Sequence, residues 1–137
     1  GQEVQQSAFG TPNTTTSYTL CVYDRQSGTP TIAGSVHVPA SPLYLNKDPK
    51  GWLYKDKTAA EDGASLISLK PGIDGRSSAQ VKSKGVNLTA PTPVGTTFFN
   101  VDPGVTVQLH NSEGVCWTSD FNTSLLNSGT QFKAKVP

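Results

Sequence analysis

The stretch Gly51–Leu88, GWLYKDKTAAEDGASLISLKPGIDGRSSAQVKSKGVNL, decides the fold. Trp52 and Tyr54 share one face of an extended segment, with Lys55 and Lys57 on the other. Ile67 and Leu69 alternate with Ser68 and Lys70 before Pro71-Gly72 and Asp74-Gly75 break the chain. Ala79, Val81 and Ser83 then alternate with Gln80, Lys82 and Lys84. A period of two with charges on one side predicts three strands of a sheet that has one face in a core and one in water.

The same period extends outward in both directions. Ser17–Asp24 places Tyr18, Leu20 and Val22 on one face and Thr19, Cys21 and Tyr23 on the other, apolar enough on both sides for a central strand. After a turn at Gln26-Ser27-Gly28, Thr31–Val38 carries Ile32, Gly34, Val36 and Val38 in register. Pro39 and Pro42 stop it, because proline cannot donate to a ladder. Leu43–Pro49 reads as an irregular connection that projects Tyr44 outward. Downstream, Pro91 and Pro93 force an extended crossing, Thr97–Val101 reads as a short strand, and Asp102-Pro103-Gly104 is a turn. Val105, Val107 and Leu109 open a hairpin through Asn111–Gly114 into Val115–Phe121. Asn122–Gly129 reads as a loop and Gln131–Val136 as the last strand. About eight strands at this spacing predict an all-β chain, a two-sheet antiparallel β-sandwich of immunoglobulin-like or jelly-roll topology.

Composition agrees with an all-β chain and excludes several functions. Among 137 residues only 34% are hydrophobic and 15% charged, and the balance of Thr, Ser, Gly, Pro and Asn suits an extracellular β domain. A net charge of +1 supplies no field to draw in nucleic acid. No run approaches the roughly 18 apolar residues of a membrane span. No window holds the i, i+3, i+4, i+7 apolar spacing of a long helix.

Cys21 and Cys116 sit in strand-like runs near opposite ends of the chain, without a metal-ligand spacing. They read as one disulfide tying an early strand to a late one, against the alternative of two buried thiols. Closing a loop of that size would stabilise by roughly 4–5 kcal/mol. Residues 1–17 are polar apart from Val4 and Phe9, and read as an arm separate from a single domain at 18–137. Such an arm would lie along its own sheet edge or on a neighbouring subunit.

Material for a reactive centre is thin. His37 falls on an outward face and His110 at a strand end, with no nucleophile motif beside either, so no catalytic residue, metal or cofactor is assigned. Asp56, Glu61 and Asp62 in the Asp56–Gly63 loop are oxygen donors suited to calcium, but a hairpin turn at Asp62-Gly63 is the plainer reading. Tyr44, Trp52 and Tyr54 are the candidate glycan contacts, since rings stack on sugar faces, while filling the core is the ordinary fate of a Trp such as Trp52 or Trp117. The lysines at 55, 57, 82, 84, 133 and 135 read as a solvated face or as guards on sheet edges. Asn13, Asn87 and Asn122 head N-x-S/T sequons, with consequences only in a glycosylating source.

Several of these residues also carry a resemblance. Gly51-Trp52, Tyr54-Lys55-Asp56-Lys57, Leu69-Lys70-Pro71-Gly72 and Val81-Lys82-Ser83-Lys84-Gly85-Val86-Asn87-Leu88 resemble a pattern repeated in secreted proteins of deltaproteobacteria and myxobacteria. Cys21-Val22-Tyr23-Asp24 resembles its start, and Val105–Leu109, Val115-Cys116-Trp117 and Gln131-Phe132-Lys133 its end, so the likeness covers roughly residues 18–135. It implies export from a bacterial cell and a disulfide, and it carries no activity. Members often hold a further Cys pair where this chain has Leu43–Pro49.

These readings together lead to the expectation of a secreted, non-catalytic β-sandwich that assembles with itself or another surface protein, as in a filament or coat. Val4 and Phe9 would belong to the assembly arm. The alternative is a carbohydrate-binding or adhesion module.

Overall fold

A computed structural model describes residues 3–26, 28–100 and 104–135. Gly1, Gln2, Ser27, Val101, Asp102, Pro103, Val136 and Pro137 lie outside the described residues, and with them parts of the expected arm, of two turns and of two strands. The chain is all-β. A single 3-10 turn at Gln6–Phe9 precedes ten strands: β1 (Tyr18–Gln26), β2 (Thr29–Val38), β3 (Tyr44–Asn46), β4 (Trp52–Lys55), β5 (Ala64–Lys70), β6 (Ser78–Ser83), β7 (Val105–Asn111), β8 (Cys116–Phe121), β9 (Ser124–Asn127) and β10 (Phe132–Ala134). Their orders are β2-β1-β7-β8, β3-β4-β5-β6, and a β9–β10 hairpin. Two compact units result, one from residues 1–19, 36–89 and 110–115, the other from 20–35, 90–109 and 116–137.

The first unit is built on β3-β4-β5-β6, all antiparallel. The register aligns Tyr44, Tyr54, Ile67 and Val81 in one row, and Trp52, Leu69 and Ala79 in the next. Because side chains alternate across a strand, both rows face the same way, and Tyr44, Trp52, Tyr54, Ile67 and Leu69 are all buried. The expected irregular loop at Leu43–Pro49 is therefore corrected: β3 pairs with β4, and register turns Tyr44 inward. The opposite face carries Leu45, Leu53, Ser68 and Gln80, and beyond them Lys55, Leu66 and Lys82. Gly51 leads into β4 with φ +99°, and a Cβ there would overlap the Leu69 carbonyl oxygen, so only glycine fits.

Residues 3–17 are no free arm. Val4 and Gly72 exchange both backbone hydrogen bonds at 3.0 Å. The Gln6 side chain donates to the Gly51 carbonyl at 3.2 Å, and Phe9 is buried. Tyr18 Oη–H donates to the Phe9 carbonyl at 2.8 Å, while Asn111 Nδ2 donates to the Ala8 carbonyl. Thr16 Oγ1 accepts from Thr11 N–H at 2.8 Å and donates to Glu113. Of the two placements expected for the arm, the described residues 3–17 take the one along their own unit, with Val4 on Gly72 and Phe9 buried.

The second unit contains most of β1, β2 and β7, all of β8, and the β9–β10 hairpin. Thr106 Oγ1 donates to Asp120 at 2.6 Å and Gln108 Nε2 to Thr118 at 3.3 Å, aligning β7 with β8. Phe99 packs edge-on against Phe98 and Phe132, with ring centroids 5.0 and 4.8 Å apart. Asn127 clamps this cluster: its Oδ1 accepts from the Phe98 and Phe99 N–H groups and its Nδ2 donates to the Phe99 carbonyl. The expected loop at Asn122–Gly129 therefore contains a strand, β9, paired with β10. Residues 97–100 hold no strand, only an isolated bridge from Thr97 to Val94.

Candidate functional site

Cys21, half-buried, and Cys116, exposed, are not joined by a disulfide, which corrects the expected pairing. Strand order gives the reason. Cys21 is on β1 and Cys116 on β8, and β7 runs between them. Two strand spacings put them about 10 Å apart, beyond the roughly 7 Å that a bridge can span. Tyr23 follows Cys21 on the same face, and its phenol is held above its ordinary pKa, first by the hydrogen bond to Cys21.

The candidate glycan contacts are not available to a sugar either. Tyr44, Trp52 and Tyr54 are 2%, 5% and 1% exposed, which corrects their expected role. Tyr44 stacks 4.9 Å from Tyr54 and 6.3 Å from Tyr18, tilted against both. Burial raises all three phenols, Tyr54 to about 12 with the Asp56 and Glu61 carboxylates adding to the effect. These rings are core.

The Asp56–Gly63 loop spends two of its three carboxylates, those of Asp56 and Asp62, on hydrogen bonds within its own unit. Asp56 accepts from Thr58 Oγ1 at 2.7 Å, Thr58 N–H at 2.8 Å and Ala60 N–H at 3.0 Å. Those donors, the Thr58 hydroxyl first, hold its pKa below the ordinary carboxylate value. Asp62 accepts from the backbone N–H of His37 at 2.9 Å. Among the described residues no three His, Cys, Asp or Glu side chains form a group that could hold a metal ion. His37 is exposed and its ring meets Thr19 Oγ1 at 2.8 Å.

What distinguishes the surface is how unevenly its sheet edges are protected. A terminal strand offers unpaired N–H and C=O groups to any strand that approaches, and proteins usually blunt it with charge, proline or brevity. Edge strand β6 carries Lys82, edge strand β8 carries Asp120, and edge strand β3 is only three residues long. Edge strand β2 runs for ten residues, TPTIAGSVHV, with no ionised side chain and with proline only at its second position. Its last part is closed where Asp62 takes the His37 N–H. Its first part, Thr29–Ser35, belongs to the second unit, has no such cap among the described residues and leaves Ile32 59% exposed. Sequence reasoning placed Ile32 in register with the core residues Val36 and Val38. The missing information was strand order, which sets β2 at the end of its sheet.

Among the described residues no helix is long and apolar enough to cross a membrane. No known family model, curated protein or solved structure matches this chain.

Proposed function

We propose that this chain is a secreted, non-catalytic β-sandwich that works by self-assembly at a cell surface, as the subunit of a filament or coat. The observation that carries the reading is the uncharged edge of β2 at Thr29–Ser35, with Ile32 at its centre. A strand from a second copy would add to this edge, its main chain supplying hydrogen bonds and Ile32 a hydrophobic contact. β8 ends the same sheet on its other side, so β2 of one copy on β8 of the next would be a head-to-tail contact that repeats without closing. Secretion rests on the low-charge, Thr- and Asn-rich composition and on the resemblance to exported bacterial proteins, and draws nothing from a disulfide. Sugar binding through Tyr44, Trp52 and Tyr54 loses its support with their burial.

Light scattering across a concentration series tests the proposal on the intact chain. The expected result is growth into oligomers that Ile32→Lys abolishes while the thermal midpoint stays unchanged. A protein monomeric at every concentration, or an Ile32→Lys variant that assembles as before, overturns it.

A further inference from the structure

The second unit contains a cavity of about 320 Å³ lined by Thr97, Asn100, Gly104, Val105, Asn122, Thr123, Ser124, Asn127 and Phe132. Three carboxamides, three hydroxyls and one aromatic ring meet there, and among the described residues no lining residue is ionised. The volume is at the small end of the ligand-pocket range of roughly 300–1,000 Å³.

Hydrogen bonding fixes the orientation of two of these amides. Asn122 Oδ1 accepts from Arg25 Nη2 at 2.6 Å. A guanidinium only donates, so the oxygen of Asn122 must face Arg25 and its Nδ2 must be the other end. That Nδ2 makes no hydrogen bond among the described residues. Asn127 is set by its two backbone donors and uses one Nδ2 hydrogen on the Phe99 carbonyl, which leaves the second. The backbone of Asn100 is tied to the buried carboxylate of Asp24 at 3.0 Å, while its own carboxamide makes no hydrogen bond among the described residues. The same holds for the hydroxyls of Thr123 and Ser124, whereas that of Thr97 is spent on the Phe99 carbonyl at 2.6 Å. Donors and acceptors are therefore left in both senses around one cavity, the amides of Asn122 and Asn127 held in place by the groups behind them. Phe132, braced edge-on by Phe99, adds an apolar surface to the wall.

We infer that this cavity binds a neutral sugar ring. Hydroxyls that both donate and accept match free amide and hydroxyl groups, and the apolar C–H face of a pyranose matches an aromatic wall. An anion would meet no cationic side chain in the lining. This inference stands independently of the assembly through β2.

The test follows the side-chain amide resonances of Asn100, Asn122 and Asn127 by NMR. Glucose, galactose, mannose and N-acetylglucosamine are titrated separately, with glucuronic acid as the charged counterpart. At least one neutral sugar is expected to shift these resonances and saturate in the millimolar range. Asn122→Asp keeps the acceptor that Arg25 needs but exchanges the Nδ2 donors for a second, anionic acceptor oxygen, so a sugar oxygen that accepts from Nδ2 loses its donor and binding should weaken roughly tenfold in a protein that still folds. Repeating the titration on Ile32→Lys reads sugar binding apart from assembly, and the affinity should be the same. Absence of shifts with every neutral sugar, equal or tighter binding of glucuronic acid, or unchanged affinity in Asn122→Asp overturns the inference.

Discussion

Replacing Tyr44 by Phe should make the protein more stable. The Tyr44 hydroxyl is buried and has no hydrogen-bond partner, while its ring is held between Tyr18 and Tyr54. Leaving a buried polar group unsatisfied costs about 1–3 kcal/mol. Phe keeps the ring contacts and leaves a gap of about one oxygen atom, roughly 10–15 Å³, which at about 24 cal/mol per Å³ takes back only ~0.3 kcal/mol. The expected gain is thus roughly 1–2.5 kcal/mol. Tyr18→Phe is the matched control with the opposite sign, because it strips the donor from the Phe9 carbonyl 2.8 Å away. Urea titration with an unchanged slope reads both. A second signature is alkaline. Burial raises the phenols of Tyr18, Tyr44 and Tyr54 in the folded chain, whereas in the unfolded chain they ionise near pH 10. Their contribution is complete below pH 10 and falls as pH rises through the folded values, about 12 for Tyr54. Tyr44→Phe removes one contributor and should make that alkaline decline shallower. A variant destabilised by about 1 kcal/mol or more, with an unaltered alkaline limb, would refute the reasoning, since the hydroxyl would then have to be satisfied.

Two other perturbations are equally direct. Asp56 has a lowered pKa in the folded chain, so its contribution is present above the ordinary carboxylate value and lost as pH falls through the folded one. Asp56→Asn should be less stable at neutral pH and show a flatter acid limb, measured by thermal midpoints from neutrality down to strong acid. Phe9→Ala should cost roughly 3–5 kcal/mol, because the ring is 3% exposed; an exposed arm would give almost nothing in the same urea titration.

Where the chain alternates over four or more residues, its structure was readable. Trp52–Lys55, Ala64–Lys70 and Ser78–Ser83 became β4, β5 and β6, with Trp52, Tyr54, Ile67 and Leu69 facing inward. Tyr44 was misplaced because β3 is three residues long, too short to show a period. Its neighbours Pro42 and Pro49 look like loop, and only pairing with β4 fixes which way it faces. Cys21 and Cys116 failed for a different reason. Both lie in strands as expected, yet a disulfide depends on which strands are adjacent, and sequence spacing says nothing about β7 lying between them. The polar segment around Phe9 was judged by average composition, although one buried ring and a few backbone bonds suffice to anchor it. The cavity was the least legible feature. Asn100, Asn122, Asn127 and Phe132 come from three separate segments, and asparagines before threonine or serine look like ordinary turn residues or sequons.

The scarcity of charge that made this surface look featureless is also what makes its edges informative. With 15% charged residues, few ionised side chains are available to protect the four terminal strands of the two larger sheets. Lys82 is on β6 and Asp120 on β8. Asp62 reaches from its loop to close β2 at His37. Between Pro30 and that closed end the same strand is left unguarded over five residues, from Thr31 to Ser35, and there the chain places Ile32 in water. An unguarded edge of that kind invites uncontrolled pairing unless the pairing is useful. Selection against aggregation would be met by a single Ile32→Lys change at an exposed position, at little expense in stability. An exposed isoleucine beside guarded neighbours is therefore what the proposed assembly needs, an edge open to a partner strand.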